Sequence, residues 1–295
     1  MSIVLITGCS SGLGLAAALA FGRNGDTVYA SMRDAAKGQE LRSRAAGESL
    51  DIRIVSLDVG RSSSFAPLLE TIVRESGRLD VLVNNAGVLR AGAWEDLGEA
   101  AAREVMETNF FGPMFLTRAV LPQMRAQRDG RIIMISSLSG IAGLPGDVAY
   151  TASKFALEGA TEALRHEVDR WNIKLALVEG GLYATRIFAA SMPAEKILPD
   201  GFPEASPYRT LIEQRLRETR ERLPQALDPM LIGELLVKIA RSDGRQLRWP
   251  ADEVAMRVLG TVFAQGDAAR DRFLRMVSGT DWWSDGASGP AINST

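Results

Sequence analysis

Over the first 180 residues, short apolar runs alternate with longer helical stretches, and that alternation restricts the chain to very few folds. The runs are Ile3–Thr7, Thr27–Ser31, Ile52–Leu57, Val81–Val83, Ile132–Ser136 and Leu175–Val178. Most are apolar along their length, as strands of a parallel sheet covered on both faces are. Between them Gly12–Arg23, Asp34–Ala46, Ser63–Glu75, Ala100–Arg128 and Ala149–Trp171 read as helices, the fourth broken near Asn109 to Pro113. Strand and helix in strict alternation imply right-handed crossovers. The expected fold class is therefore α/β: a doubly wound parallel sheet of about seven strands, with helices on both faces. Helix Met230–Arg241 and a short strand near Gln246–Trp249 return the chain to the sheet.

The composition removes whole classes of function. The 34 Lys and Arg against 36 Asp and Glu leave a net charge of −2, so no positive excess favours nucleic acid or an anionic membrane. One histidine, His166, and one cysteine, Cys9, exclude a two-histidine metal site and an internal disulfide. No metal is expected. Nowhere do 18 apolar residues run together, and MSIVLITG lacks a basic leader, so the expected location is cytoplasmic.

After Thr185 the pattern changes. Six of the twelve prolines fall between Pro193 and Pro229, around one helix candidate, Tyr208–Leu223. Residues 186–228 are expected to form a substrate lid inserted into a single domain spanning 1–277, with 278–295 a flexible tail. A solvated surface insertion is the competing reading.

The first run leads directly into Thr7-Gly8-Cys9-Ser10-Ser11-Gly12-Leu13-Gly14 and then a helix. A pyrophosphate needs free N–H groups at a helix N-terminus, and glycines let the backbone approach it closely. Strand, glycine loop and helix in this order fit a Rossmann-type dinucleotide site. The second run closes on Ser31-Met32-Arg33-Asp34, with Met32 where a carboxylate for the ribose 2′-hydroxyl would stand. The Arg33 guanidinium suits a 2′-phosphate, so NADP(H) is favoured over NAD(H). Alternatively, Arg33 only pairs with Asp34 at the surface. Tyr150 and Lys154 lie four residues apart on a helix and share a face. The lysine ammonium is expected to bring the tyrosine pKa toward working pH.

TGCSSGLG at 7–14, NNAG at 84–87, Asn109, Ser137 and YTASK at 150–154 occur together in order. The chain thereby resembles the short-chain dehydrogenase/reductase family in its soluble single-domain form, closely over residues 1–185 and loosely beyond. TGCSSGLG and VYASMRD are similar to the branch holding hydroxysteroid and retinol dehydrogenases.

The resemblance implies roles. Tyr150 would be general acid in carbonyl reduction and base in alcohol oxidation, and Lys154 would hold the nicotinamide ribose. Ser137 would polarise the substrate oxygen, and Asn109 would place a water linking Lys154 to solvent. Gly8, Ser10, Ser11, Gly12, Leu13 and Gly14 would cradle the pyrophosphate. Asp58, next to Val59, would meet the adenine, and Asn85, Ala86 and Gly87 would line the adenosine ribose. Gly181, Tyr183 and Thr185 belong to the stretch facing the nicotinamide. There Gly180 stands in place of the family's proline, which should loosen this loop. From the residues alone, Asn109 reads equally as a helix cap and Asp58 as a strand-end turn.

The expected function is NADP(H)-dependent interconversion of a ketone or aldehyde with an alcohol, on a bulky apolar small-molecule substrate. An NAD-dependent dehydrogenase of a small polar alcohol and a non-catalytic NADP(H)-sensing regulator stay open. A homodimer or homotetramer is implied by the family's habit of pairing the helix around Phe110–Met124 with the Tyr150–Trp171 helix of another subunit.

Overall fold

The computed structural model describes residues 1–185, 187, 205–264, 266, 269, 272, 273, 275 and 276. Seven parallel strands form one sheet in the order β3-β2-β1-β4-β5-β6-β7. They are β1 Ile3–Ile6, β2 Thr27–Met32, β3 Ile52–Ser56, β4 Val81–Asn84, β5 Gly130–Ile135, β6 Ile173–Glu179 and β7 Arg248–Pro250. The helices are α1 Gly12–Arg23, α2 Gln39–Gly47, α3 Phe65–Ser76, α4 Glu99–Met106, α5 Gly112–Gln127, α6 Val148–Val168, α7 Arg209–Arg222, α8 Pro229–Ala240 and α9 Glu253–Ala264.

Period-two alternation along buried strands divides the core between two faces. Val4, Ile6, Val28 and Ala30 pack with Leu15, Leu19 and Phe21 of α1 and Ile232 and Leu236 of α8. Leu5, Tyr29, Leu82 and Met134 face the other way, onto Ile72 of α3, Leu116 and Val120 of α5 and Leu157 of α6. Strands that bury both faces leave no polar side for solvent, which is why their sequences read as continuous apolar runs.

Strand order reverses between β1 and β4, and a crevice opens there beyond the strands' C-terminal ends. Thr7-Gly8 and Asn84–Gly87 follow those two strands and meet in it. The expected break near Asn109 to Pro113 is a single π turn, Glu107–Phe111, between α4 and α5. Asn109 is therefore an inserted residue of a continuous helical run and not a cap. Helix α9 was not foreseen as an element. Its Val258 and Val262 pack on Ile141 and Ala142, over the turn that follows Ser137.

Of the expected lid, α7 is described and docks through Leu211 and Ile212, both buried. Tyr208 donates to Glu95 at 2.8 Å and Ser206 to Asp96 at 2.6 Å, tying this helix to the loop after β4. Lid residues 186 and 188–204 and the expected tail 278–295 lie outside the described residues.

Candidate active site

The glycine loop is shaped by close approach. Gly8 and Gly12 have φ of +75° and +57°, conformations L side chains rarely adopt. A Cβ on Gly8 would stand 2.9 Å from the Ala86 Cα, and one on Gly14 would overlap the Gly8 carbonyl and the Asn85 amide. Ser11 precedes α1 in extended conformation, no side chain caps this helix, and its first turn holds no acid. The N–H groups of Gly12, Leu13 and Gly14 are thus left to an anion. A cradle that Cβ atoms would fill, at an uncapped helix N-terminus, fits a dinucleotide pyrophosphate.

Thr7, passed over as a site residue in the sequence, fixes the two halves of the crevice together. It is buried, and its hydroxyl accepts from the backbone N–H of Asn85 and of Ala86, each at 2.9 Å. The Asn85 amide donates back to the Thr7 carbonyl at 2.8 Å. A polar residue closing an otherwise apolar strand was the available signal. Cys9 is wholly buried, its thiol donating to the Ile6 carbonyl at 3.3 Å, and burial pushes its pKa up, so it packs as a small core residue.

At the end of β2 the Met32 side chain is buried in the core, near Gly38. Arg33, the residue after the C-terminal end of β2, is exposed. Asp34 is engaged elsewhere, accepting from the Ala36 N–H at 3.0 Å, and no ion pair joins it to Arg33 among the described residues. Asp58 accepts from the Gly60 N–H at 3.1 Å and stands 3.6 Å from Arg61, the turn arrangement that its position at a strand end allows. Val59 lies beside it, its carbonyl pressed close to Gly112.

Ser137, Tyr150, Lys154 and Asn109 are brought together by β5, α6 and the π turn. Ser137 begins a short turn, accepting from the Ser139 N–H at 3.1 Å. Lys154, buried, donates to the Ile135 carbonyl at 2.7 Å, and its Nζ lies 5.7 Å from the Tyr150 ring centre. Asn109 accepts from the Val88 N–H at 2.8 Å and donates to the Val88 carbonyl at 2.9 Å. It also donates to the Ser153 hydroxyl at 3.1 Å, which in turn donates to the Tyr150 carbonyl at 2.7 Å. The loop after β4 and the start of α6 are thereby locked to one buried amide.

Burial works against the expected fall of the Tyr150 pKa. The Tyr150 phenol is pushed up to about 12, first by burial and then by the neighbouring Asp147 charge, with Ser137 as hydrogen-bond partner working the other way. Burial likewise draws Lys154 down to about 8, against the pull of Glu158. Burial is thus the largest influence on both groups, raising the phenol and lowering the ammonium. Asp147 escaped notice in the sequence; burial raises its carboxyl to about 6, opposed by Arg215 of α7.

The Gly180 loop is held by several hydrogen bonds. The Gly181 N–H donates to Asp252 at 2.8 Å, and the other oxygen of that carboxylate takes the Ala255 N–H at 2.8 Å. Tyr183 is buried, its ring facing Gly180 and its hydroxyl donating to the Ala251 carbonyl at 3.2 Å. Thr185 comes close to Gly12, bringing this loop to the glycine turn.

A buried carboxyl makes a stability prediction. Glu179, at the end of β6, is wholly buried, and burial together with the Glu158 charge raises it to about 8. The folded chain then binds a proton that the unfolded chain releases above its normal value near 4.5. Stability should fall as pH rises between those two values, by at most about 1.4 kcal/mol per unit. Glu179→Gln is expected to remove that slope and raise the melting temperature at pH 8, read by calorimetry from pH 5 to 9.

Fold and crevice define a nucleotide-binding oxidoreductase on a Rossmann-type sheet. A family model described as short chain dehydrogenase matches residues 2–196, and the chain belongs to that family. It is 38% identical over 255 residues to retinol dehydrogenase 8 of Bos taurus, covering 83% of this chain and 80% of the relative. It is 34% identical over 261 residues to 17-beta-hydroxysteroid dehydrogenase type 1 of Homo sapiens, covering 84% and 76%. Among solved structures it resembles a metagenomic short-chain oxidoreductase in complex with NADP, with TM-score 0.65 and 25% identity over 84% of this chain and 94% of that one. The fold binds a nicotinamide cofactor, and the family acts on CH–OH and C=O groups of small molecules. No described helix is long and apolar enough to cross a membrane.

Proposed function

We propose that the protein is an NADP(H)-dependent oxidoreductase interconverting a ketone or aldehyde with an alcohol on a bulky apolar substrate. The observation that carries this reading is the convergence of Ser137, Tyr150 and Lys154 beyond the uncapped N-terminus of α1. The bound nicotinamide supplies or takes up the hydride. Ser137 polarises the substrate oxygen and steadies its developing charge. Tyr150, held as a phenol, donates its proton to that oxygen during reduction and recovers it in the reverse direction. Lys154 holds the nicotinamide ribose and keeps the proton supply charged, and Asn109 fixes the loop through which water reaches it. Gly8, Ser10, Ser11, Gly12, Leu13 and Gly14 bind the pyrophosphate. Asp58, Val59, Asn85, Ala86 and Gly87 line the adenosine, and Gly181, Tyr183 and Thr185 form the nicotinamide side.

NADP(H) is supported by the exposed Arg33, by the apolar Met32 beside it and by the NADP bound to the structural relative. Arg33→Ala should weaken NADPH binding by about 10- to 100-fold and NADH binding by less than about two-fold, measured by fluorescence titration. Equal weakening of both would remove Arg33 from the 2′-phosphate. A bulky apolar substrate is supported by the names of the retinol and hydroxysteroid relatives. A cavity of about 570 Å³ lined by Ala93, Trp94, Pro145, Val148 and Leu211, beside the start of α6, supports it further. Turnover should therefore rise from short aliphatic to steroid-sized carbonyls. The stacked, partly exposed Phe111 and Phe115 of the π turn and α5, and exposed Phe155 of α6, support a homodimer or homotetramer. The single, buried cysteine accords with a cytoplasmic setting.

A further inference from the structure

Helix α6 carries a second set of ionisable groups below the site. Tyr150, Lys154, Glu158 and Glu162 follow at intervals of four, so they form one stripe running from the crevice to the surface. Glu158 is only 4% exposed, as buried as Lys154. Arg248 of β7 clamps the lower end. Its Nε lies 3.2 Å from Glu158 and 3.9 Å from Glu179, and its Nη2 lies 3.1 Å from Glu162. Both oxygens of Glu179 and one oxygen of Glu158 lack hydrogen-bond partners among the described residues. Gly140 lets Glu158 approach: a Cβ there would stand 2.5 Å from the Ser136 hydroxyl and 3.0 Å from the Glu158 side chain. Ser136 immediately precedes Ser137.

One guanidinium shared by three carboxyls, two of them buried, cannot neutralise them all. Glu179 is the most buried and has the longest contact, so it takes the proton. Glu158 keeps the charge: Arg248 clamps it, and the Lys154 ammonium lies one helical turn back, close enough to feel it without a direct ion pair.

We propose that Glu158 is a positioning residue for the reaction: its carboxylate, clamped by Arg248, is the counter-charge that keeps the buried Lys154 ammonium protonated. The inference rests on the role given to Lys154 above. The other groups around Lys154 do not replace this charge. Tyr150 on α6 is a phenol, Asn109 and Gly87 are uncharged, and among the described residues β5 offers Lys154 the Ile135 carbonyl. Glu179 of β6 holds its proton, Arg248 of β7 contacts the carboxylates, and Asp147 acts on Tyr150. Without Glu158, burial alone governs Lys154 and the ammonium gives up its proton more readily.

The test reads Lys154 directly. The chain has five lysines, so the cofactor-free protein labelled at the lysine ε-carbon gives few signals, and Lys154→Met assigns the one that matters. Glu158→Gln should move the Lys154 titration down by about one pH unit, while Glu162→Gln, at the exposed end of the stripe, leaves it in place. With a reducible carbonyl, the alkaline limb of kcat should move by the same amount and KM should stay nearly constant. In the unaltered protein the Lys154 signal should show a second inflection at acid pH, where Glu158 takes its proton, which tests the coupling even where Glu158→Gln does not fold. An unmoved Lys154 titration in Glu158→Gln, or a single inflection in the unaltered protein, would overturn the proposal. If no carbonyl or alcohol turns over, the reaction assignment fails, but the lysine titration still decides the charge coupling.

Discussion

Tyr150→Phe is expected to lower kcat for carbonyl reduction by about 10²- to 10⁴-fold, the usual contribution of a positioned general acid. The substitution removes one O–H and keeps the ring that lies over Lys154. NADPH affinity should therefore change less than about two-fold, since the pyrophosphate cradle and Lys154 are untouched. Steady-state rates together with a fluorescence titration of NADPH separate the two effects.

Gly14→Ala should weaken NADPH binding by about 10- to 100-fold, the effect of about 1–3 kcal/mol of overpacking placed at the phosphate cradle. The added methyl would meet the Gly8 carbonyl and the Asn85 amide, and neither can withdraw freely. Gly8 is committed to a positive φ, and the Asn85 amide is bonded to the Thr7 carbonyl. The melting temperature should fall by several degrees, at about 2–4 °C per kcal/mol for a chain of this size. Isothermal calorimetry and a thermal melt provide both numbers. Gly47→Ala is the matched control, because nothing lies within 4 Å of its Cβ position and its φ is not positive.

What could be read from the sequence followed from periodicity and from local chemistry. The strands announced themselves because parallel strands bury both faces, and α1, expected over Gly12–Arg23 after the glycine turn, has those bounds. The cofactor crevice was equally open to reading, since strand, glycine loop and helix are contiguous. Contacts between distant segments were not. Nothing in the order of residues showed that Asp252 would hold the Gly180 loop, or that Thr7 would carry two amide bonds from the next strand's end. The surroundings of Tyr150 were hidden for a related reason. Sequence spacing reports that an ammonium is near, but burial is a property of the packed fold, and here desolvation wins. Glu158 combined both cases: its spacing from Lys154 was visible, whereas its burial and its arginine clamp from β7 were not.

The proposed reaction passes hydride to a carbonyl carbon while Tyr150 supplies the proton. Its most direct test is reduction of a steroid-sized ketone with NADPH carrying deuterium at both nicotinamide C4 positions, followed by mass analysis of the product alcohol. The account predicts one deuterium at the carbinol carbon with the unaltered protein, and with Tyr150→Phe a yield lower by about two orders of magnitude or more. An alcohol without deuterium, or an undiminished yield from Tyr150→Phe, would contradict it.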